Sequence, residues 1–454
     1  MAFNNLALPH YARYFKTQFT RYRPQPSDFK SKVLPYLTSK PNRPKDAVYL
    51  SALATVRRLF ALPAKVNPLH INDSIKYFQN GDKSPGLPYT ARGIKQKRDV
   101  PVNEIKQYVH NVKYGIYQHC RTPCTGAART MISKSTEKKF RLIWVYPAHM
   151  TLAEGMFAQP LIWAYQRLEG PYGIWIQYAR GDAKRLMAAK RFPSQRWLGM
   201  DWTAFDANVP SWMIRDAFQI LREQMDFSKY QERGVPTHDF TLDTLWNHLV
   251  HYFINTPIKL PTGEVLKTRR GVPSGSYFTN ILDSVINAIA VHYCLESLNV
   301  RYSKCWFMGD DSLVLISKPA LNIDDLARIA FVTFGFELNT SKSDFSPHSV
   351  KFLGFTLKGG RPYADYDKLV GMLICPSSRD VCEQDFIARA RALQLSCFGI
   401  GCMRFTAEID EFLIRVGHET AYPSLHPKNE LVSKLQQMGL ADWPPLSKVM
   451  DAVM

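Results

Sequence analysis

Cys305-Trp306-Phe307-Met308-Gly309-Asp310-Asp311-Ser312-Leu313-Val314-Leu315-Ile316 is the stretch that decides how this chain is read. Two apolar runs, 305–308 and 312–317, are separated only by Gly309, Asp310 and Asp311, the pattern of a β-hairpin. Adjacent carboxylates at such a turn repel each other and are costly when half-buried and unpaired. A divalent cation removes that cost, and hard oxygen ligands suit Mg²⁺ or Mn²⁺. Glycine and aspartate also favour turns on local grounds alone, so the tripeptide needs context.

Working upstream, Arg196 to Trp202 reads as a short buried strand that delivers Asp201 to a sheet edge, with Asp206 just beyond. Two cations ~3.5–4 Å apart need a shared carboxylate set to clamp the attacking and leaving oxygens of an in-line displacement. Asp201 with Asp310, supported by Asp311, meets that need if their strands are neighbours. Between them runs Arg269-Arg270-Gly271-Val272-Pro273-Ser274-Gly275-Ser276-Tyr277-Phe278-Thr279-Asn280. Gly275 supplies conformational freedom and lets the backbone approach a strand closely. Taken alone the segment is a loop-to-helix junction with a Ser or Thr cap. From about 277 to 295, Ile281, Leu282, Val285, Ile286 and Ile289 recur at helical spacing, opposite a polar stripe of Asn280, Asp283, Ser284 and Asn287.

Further out, residues 212–225 read as helix, Val350 to Leu357 as one strand, and the chain from about 379 to its end as mainly helical, broken at Gly399 to Gly401. Strands and helices mix without regular alternation, which favours an α+β fold. The 454 residues allow about three units at ~150 residues each. Lys and Arg run along the whole chain and leave a net charge of +19, which argues for a basic surface or channel that neutralises phosphates. No run of eighteen apolar residues predicts a membrane span, and Met1 to His10 lacks a secretory signal. Cys120 and Cys124, beside His119, and Cys397 with Cys402 have no second pair at zinc spacing, so free thiols in a reducing compartment are expected. Residues 1–45 interleave Tyr11, Arg13, Tyr14, Lys16, Arg21, Tyr22 and Arg23. Such a segment lays stacking and cationic groups along a nucleic acid, or packs as an arm across the body, the reading preferred here.

The order Asp201-x4-Asp206, Ser274-Gly275-x3-Thr279, Gly309-Asp310-Asp311 resembles palm motifs A, B and C of viral RNA-dependent RNA polymerases. Ser84-Pro85-Gly86-Leu87-Pro88-Tyr89 looks like motif G at the template entry. Lys138-Lys139-Phe140-Arg141-Leu142-Ile143 looks like motif F, the basic finger over the triphosphate. Asn339 to Ser343, with Lys342, looks like motif D, and Phe352-Leu353-Gly354-Phe355 looks like motif E, the primer grip. Together these cover about residues 84–357, and the wording around Ser274 looks most like partitivirus-type enzymes, then picobirnavirus-type, both of double-stranded RNA viruses.

The resemblance implies a right-hand polymerase with an RRM-like palm and a helical thumb. Its expected parts are an N-terminal arm and fingertip region (1–60), fingers (61–195 and the insertion 216–268), palm (196–215 and 269–358) and thumb (359–454). It implies two Mg²⁺ or Mn²⁺ ions on Asp201 and Asp310, with Asp311 as a third acid. Arg141, Lys139 and Lys138 would meet the triphosphate, with Lys134 and Arg129 as further candidates. Ser274, Thr279, Asn280 and Asp283 would join them around the nucleotide, and Lys342 would protonate pyrophosphate unless it is a solvated loop lysine. Ser84, Gly86, Pro88, Gly275, Phe352 and Leu353 would contact RNA. Implied partners are RNA template and product, nucleoside triphosphates and a capsid protein, with no membrane; a monomer is assumed, inside the virion or in host cytoplasm.

Asp206 matches the residue that monitors the ribose 2′-hydroxyl, the group that separates RNA from DNA. Its usual partner in picornavirus-like enzymes is an Asn, and Asp283 stands there instead. Two facing carboxylates require a shared proton, an intervening cation or a different partner, for which Asn280 and Asn287 are alternatives.

Overall fold

The computed structural model describes residues 19–38, 41–317, 321–377, 380, 382–415 and 417. At its centre is a four-stranded antiparallel sheet in the order Asp344–Ser346, Arg196–Met200, Asp311–Ile316, Tyr302–Met308. The expected hairpin forms, with Asp311 opposite Met308 and Leu313 opposite Trp306. Strand alternation sends its side chains into two cores. Leu198, Met200, Val314 and Ile316 join the large core. Trp197, Trp306, Leu313 and Leu315 join a second one with Val350, Phe352 and Leu357. Both faces are therefore covered, which explains why these strands read as continuous apolar runs. Gly199 leaves room for that second layer, since a Cβ there would sit 2.7 Å from the Lys351 carbonyl oxygen.

The helix Thr279–Ser297 packs on the large-core side against the helices Ala47–Leu59, Ser211–Arg222 and Ile323–Phe334. It is buried nearly all round, so the amphipathic reading needs correction. Asp283, Ser284 and Asn287 are buried along with the apolar face. A polar stripe that does not face water has to face protein partners.

A second four-stranded sheet runs Phe140–Val145, Cys124–Thr130, Pro257–Lys259, Val265–Lys267. Its middle pairing, Cys124 opposite Ile258, is parallel and ties the 216–268 insertion to the segment before it. Val350 to Leu357 is not one strand. Ser349–Phe352 and Phe355–Lys358 form a hairpin, extended by Arg361–Tyr363, because Leu353 and Gly354 both take positive φ, at 50° and 79°.

The helices Tyr366–Ile374, Glu383–Ser396 and Met403–Arg415 build a separate core around Leu369, Phe386, Ile409 and Phe412. Gly399, at φ 65°, makes the break read from the sequence. The N-terminal strand Phe19–Arg21 pairs with Ile132–Lys134, and Phe19 packs on the C-terminal core. Arg21 donates to the carbonyls of Cys375 and Thr130. This part of the N-terminal segment is thus an arm across the body. Tyr11, Arg13, Tyr14 and Lys16 lie outside the described residues, as does the chain beyond 417.

Candidate active site

Ser312 pairs with Met200 across the central sheet, and continuing that antiparallel pairing by one step brings Asp201 opposite Asp311. Asp310 occupies the adjoining turn, where Gly309 takes φ 64°. Three carboxylates from two neighbouring strands thus come within electrostatic reach of one another at one end of the sheet, though among the described residues no three acids are drawn together as a ready-made metal cluster. Burial pushes Asp311 up to about 7, reinforced by the charges of Asp310 and Asp201. Asp310 reaches solvent, yet protein atoms crowd it, and that crowding together with Asp201 raises it too. Hard oxygen donors whose ionisation is suppressed by crowding and mutual repulsion fit divalent cations, which would relieve both terms.

The turn is held from beneath by the helix Thr279–Ser297. Ser284 Oγ accepts from the Gly309 N–H at 2.7 Å. Asn287 Nδ2 donates to the carbonyls of Gly309 (3.1 Å) and Asp310 (2.9 Å), while its Oδ1 accepts from the Trp202 indole N–H at 3.0 Å. One buried amide therefore ties the segment after Asp201 to the turn of Asp310. Asn287→Ala should cost about 3–5 kcal/mol, since it strands a buried donor and leaves two carbonyls without this partner. Urea melting measures this, and a loss below about 1 kcal/mol would contradict the tie.

On the other side, the Asn339–Ser343 turn sits on Asp201. The Asp201 N–H donates to Ser343 Oγ at 3.2 Å, and Asn339 N–H donates to the Asp201 carbonyl at 2.9 Å. That anchoring holds the turn carrying the exposed Lys342 close to the carboxylates. Lys368, on the helix Tyr366–Ile374, also bears on the site, because its charge is felt by Asp311.

Asp206 lies in the short helix Phe205–Asn208, and its carbonyl accepts from Val272 N–H at 2.8 Å. Burial pushes its carboxyl up to about 7, with Asp310 adding to the rise and Arg141 opposing it. Asp283 is 4% exposed and lies well above the carboxylate range, through burial first and then Asp206 and Asp310. Among the described residues nothing donates to its Oδ1. Asn287 is engaged elsewhere, and Asn280 is exposed, its Oδ1 accepting from the Tyr172 hydroxyl at 2.6 Å. Burial and the neighbouring carboxylates thus oppose ionisation of Asp283, and among the described residues no hydrogen bond joins it to Asp206. Tyr36 also senses both acids.

Arg141 is exposed on the strand Phe140–Val145 and is felt by Asp206, Asp310 and Asp311. Directly opposite it on the neighbouring strand stands Arg129. Like charges facing each other across a strand pair are unfavourable unless an anion lies between them, which gives Arg129 more weight than its sequence context did. Lys138 and Lys139 are exposed but precede the strand, so they belong to its approach turn and not to its cationic face.

The loop 273–278 is stitched to the Arg141 strand. Ser274 Oγ donates to the Leu142 carbonyl (3.3 Å) and accepts from Trp144 N–H (3.4 Å). Thr279 Oγ1 bonds the Pro273 and Ser276 carbonyls, acting as an internal brace. Gly86 packs so closely that a Cβ would lie 2.7 Å from the Tyr146 carbonyl oxygen, while Ser84 and Pro88 on the same loop are exposed. Phe352 is buried in the second core and Leu353 half-buried in the turn after it, so the Phe352 ring is not free to meet a ligand.

Residues 10–370 match the family model described as viral RNA-dependent RNA polymerase. The chain belongs to the viral RNA-dependent RNA polymerase family. The RNA-directed RNA polymerase of Cryptosporidium parvum virus 1 is 29% identical over 290 residues, covering 57% of this chain and 51% of that protein. That of White clover cryptic virus 1 is 24% identical and covers 57% of this chain and 46% of the relative. The chain thus spans about half the length of these curated relatives. The crystal structure of the RNA-dependent RNA polymerase of a human picobirnavirus superposes with a TM-score of 0.67 at 15% identity, over 90% of this chain and 77% of that one. The α+β fold is therefore the right-hand polymerase fold, as the motif order implied. Neither Glu154, buried behind the 273–278 loop, nor Tyr172 or Lys368 was singled out from the sequence. They lie outside the motifs, and Glu154 carries a signal only as a carboxylate inside an apolar helix.

Proposed function

We propose that this chain is an RNA-directed RNA polymerase that replicates and transcribes a double-stranded viral RNA genome by two-metal-ion nucleotidyl transfer. The observation that supports this reading is the convergence of Asp201, Asp310 and Asp311 at one sheet end, within reach of the Arg141 charge. Asp201 and Asp310 would hold two Mg²⁺ or Mn²⁺ ions, with Asp311 in support. Those ions, when bound, make the primer 3′-hydroxyl more acidic and stabilise the leaving pyrophosphate.

The chain's own groups supply the rest. Arg141 and Arg129 bridge triphosphate oxygens, a task suited to the guanidinium fork. Asp206 accepts from the ribose 2′-hydroxyl, with the buried Asp283 behind it, whose ionisation Asp206 opposes. Lys342 would donate a proton to pyrophosphate, and Lys368 tempers the charge on Asp311. Template RNA enters past Ser84, Gly86 and Pro88, with Ser274 and Gly275 beneath it and the Leu353 turn near the primer. The fingers are residues 61–195 and 216–268, the palm 196–215 and 269–358, and the thumb begins at 359. The working context is the virion interior or host cytoplasm, with a capsid protein as partner and no membrane; among the described residues no helix is long and apolar enough to cross one.

Purified protein with primed and unprimed RNA templates should incorporate ribonucleotides in the presence of Mg²⁺ or Mn²⁺. Preferential use of deoxynucleotides would instead point to a reverse transcriptase, and a lack of metal-dependent synthesis to an RNA-packaging role. Asp206→Ala should lower the preference for ribo- over deoxynucleotides by about 10- to 100-fold, the worth of one charge-assisted hydrogen bond. An unchanged preference would remove Asp206 from sugar selection.

A further inference from the structure

Tyr172 lies between the Arg141 strand and the strand Arg196–Met200, outside every motif, and the proposed chemistry leaves it unused. Its backbone runs beside the strand Tyr302–Met308. The Phe307 N–H donates to the Pro171 carbonyl at 2.8 Å, and Tyr172 bridges to Phe307 in parallel. Gly173 keeps the segment close, since a Cβ there would lie 3.4 Å from the Phe307 carbonyl oxygen. The segment is thus an added edge on the strand that leads into the Asp310 turn. The Tyr172 ring is 1% exposed, stacked on Phe60 with centroids 6.4 Å apart and edge-on to Tyr165 at 5.6 Å. A ring packed on both sides cannot swing, so its hydroxyl has a fixed place.

That hydroxyl donates to Asn280 Oδ1 at 2.6 Å. Fixing the oxygen of a planar amide fixes its nitrogen as well. Asn280 Nδ2 stands beside the turn, where a Cβ on Gly309 would lie 3.4 Å from it. Asn280 is exposed, and among the described residues no hydrogen bond takes its N–H groups. The result is a neutral donor, oriented from behind by a buried hydroxyl and open in front next to Asp310. We infer that Tyr172 is a positioning residue that turns the Asn280 amide so that its N–H donates to a hydroxyl oxygen on the ribose of the incoming nucleotide. The inference rests on the polymerase reading and adds to it a residue that no motif contains. The chemistry of the site points to the sugar. Charged guanidinium groups suit phosphate, whereas a ribose hydroxyl that gives its hydrogen to a carboxylate keeps lone pairs that a neutral amide can fill. Without the Tyr172 hydroxyl the amide is free to flip, and its own oxygen would then oppose the sugar oxygen.

Tyr172→Phe removes the hydroxyl and keeps the ring, and Asn280→Ala removes the amide. Addition of one ribonucleotide to a preassembled primer–template gives kcat/KM for wild type, each variant and the double variant. Tyr172→Phe should lower it about 3- to 10-fold, the worth of one oriented hydrogen bond. In the Asn280→Ala background the same substitution should change nothing, because the amide it orients is gone. An equal further loss in that background would show that Tyr172 acts on the fold and not through Asn280, and would overturn the inference. So would a Tyr172→Phe variant with wild-type kcat/KM. Repeating the series with 2′-deoxy and 3′-deoxy nucleotides reads the sugar contact. The Tyr172→Phe penalty should vanish with the substrate that lacks the hydroxyl met by Asn280, and a penalty kept with both would also overturn the inference. Should wild type add no nucleotide, the polymerase reading fails, and thermal melting of the same four proteins still decides the tie: coupled shifts support it and additive shifts reject it.

Discussion

Asp310→Asn should lower nucleotide incorporation by at least about 10³-fold while leaving RNA affinity largely intact. The drop follows from losing one anionic ligand of the proposed two-cation clamp, worth several kcal/mol of charge stabilisation in the transition state. RNA affinity persists because it comes from the basic surface of a chain with a net charge of +19, to which Asp310 contributes nothing favourable. Single-turnover extension and filter binding on the same RNA separate the two quantities, and near wild-type incorporation would sink the metal assignment. A stability measurement reads the same site without catalysis. Asp311 is held up at about 7 in the fold, so it stabilises the metal-free protein at low pH, and that contribution is lost as pH rises from the ordinary carboxylate range through about 7. Asp310→Asn removes one of the charges responsible, so the variant should lose less stability over that interval. Added Mg²⁺ should stabilise wild type more than the variant above pH 7.

Gly275→Ala should be nearly as damaging, for a steric reason. A Cβ on residue 275 would lie 1.6 Å from the Trp144 carbonyl oxygen and 2.8 Å from its carbon. Both obstacles are backbone in the strand that carries Arg141, so neither can swing aside. The loop must lift by more than an ångström, breaking the Ser274 bonds to Leu142 and Trp144. A displacement of that size near reacting groups costs on the order of 10²-fold in rate. Trp144, Tyr146 and Phe278 around the contact belong to the large core, so thermal melting should fall too, while kcat falls more steeply because the loop sits beside the reacting groups. A variant with wild-type kcat would show that the loop and the Arg141 strand need not touch during catalysis. Gly275 does not take a positive φ, so what position 275 requires is close approach, not the conformational freedom expected from the sequence.

The same contrast runs through the molecule. The hairpin around Asp310, the strand into Asp201 and the helix after Thr279 were legible because alternation and helical spacing are local signals. The break at Gly399 was legible for the same reason. Val350 to Leu357 was misread because a turn made by Leu353 and Gly354 interrupts an otherwise continuous apolar pattern, and a leucine at positive φ announces nothing in sequence. The polar stripe on the Thr279–Ser297 helix was seen correctly, but its meaning was not. It looked like one side of an amphipathic helix, and it is the underside of the Asp310 turn.

By itself the sequence determined the chemistry: which carboxylates exist, in what order along the chain, and with which basic and glycine-bearing segments between them. Motif order needs no coordinates, and it led to the polymerase family. Tertiary structure alone decided the partners. That Asn287 joins Trp202 to Asp310, that Arg129 faces Arg141, and that Glu154 grips Ser276 are contacts between residues far apart in the chain. Such contacts are set by how sheets and helices pack, and a local pattern of side chains carries no record of them. The question left open by Asp283 was of this kind. Burial, with the charges of Asp206 and Asp310, opposes ionisation of Asp283, a pressure that two aspartates seventy-seven positions apart exert only once the helix closes over the sheet.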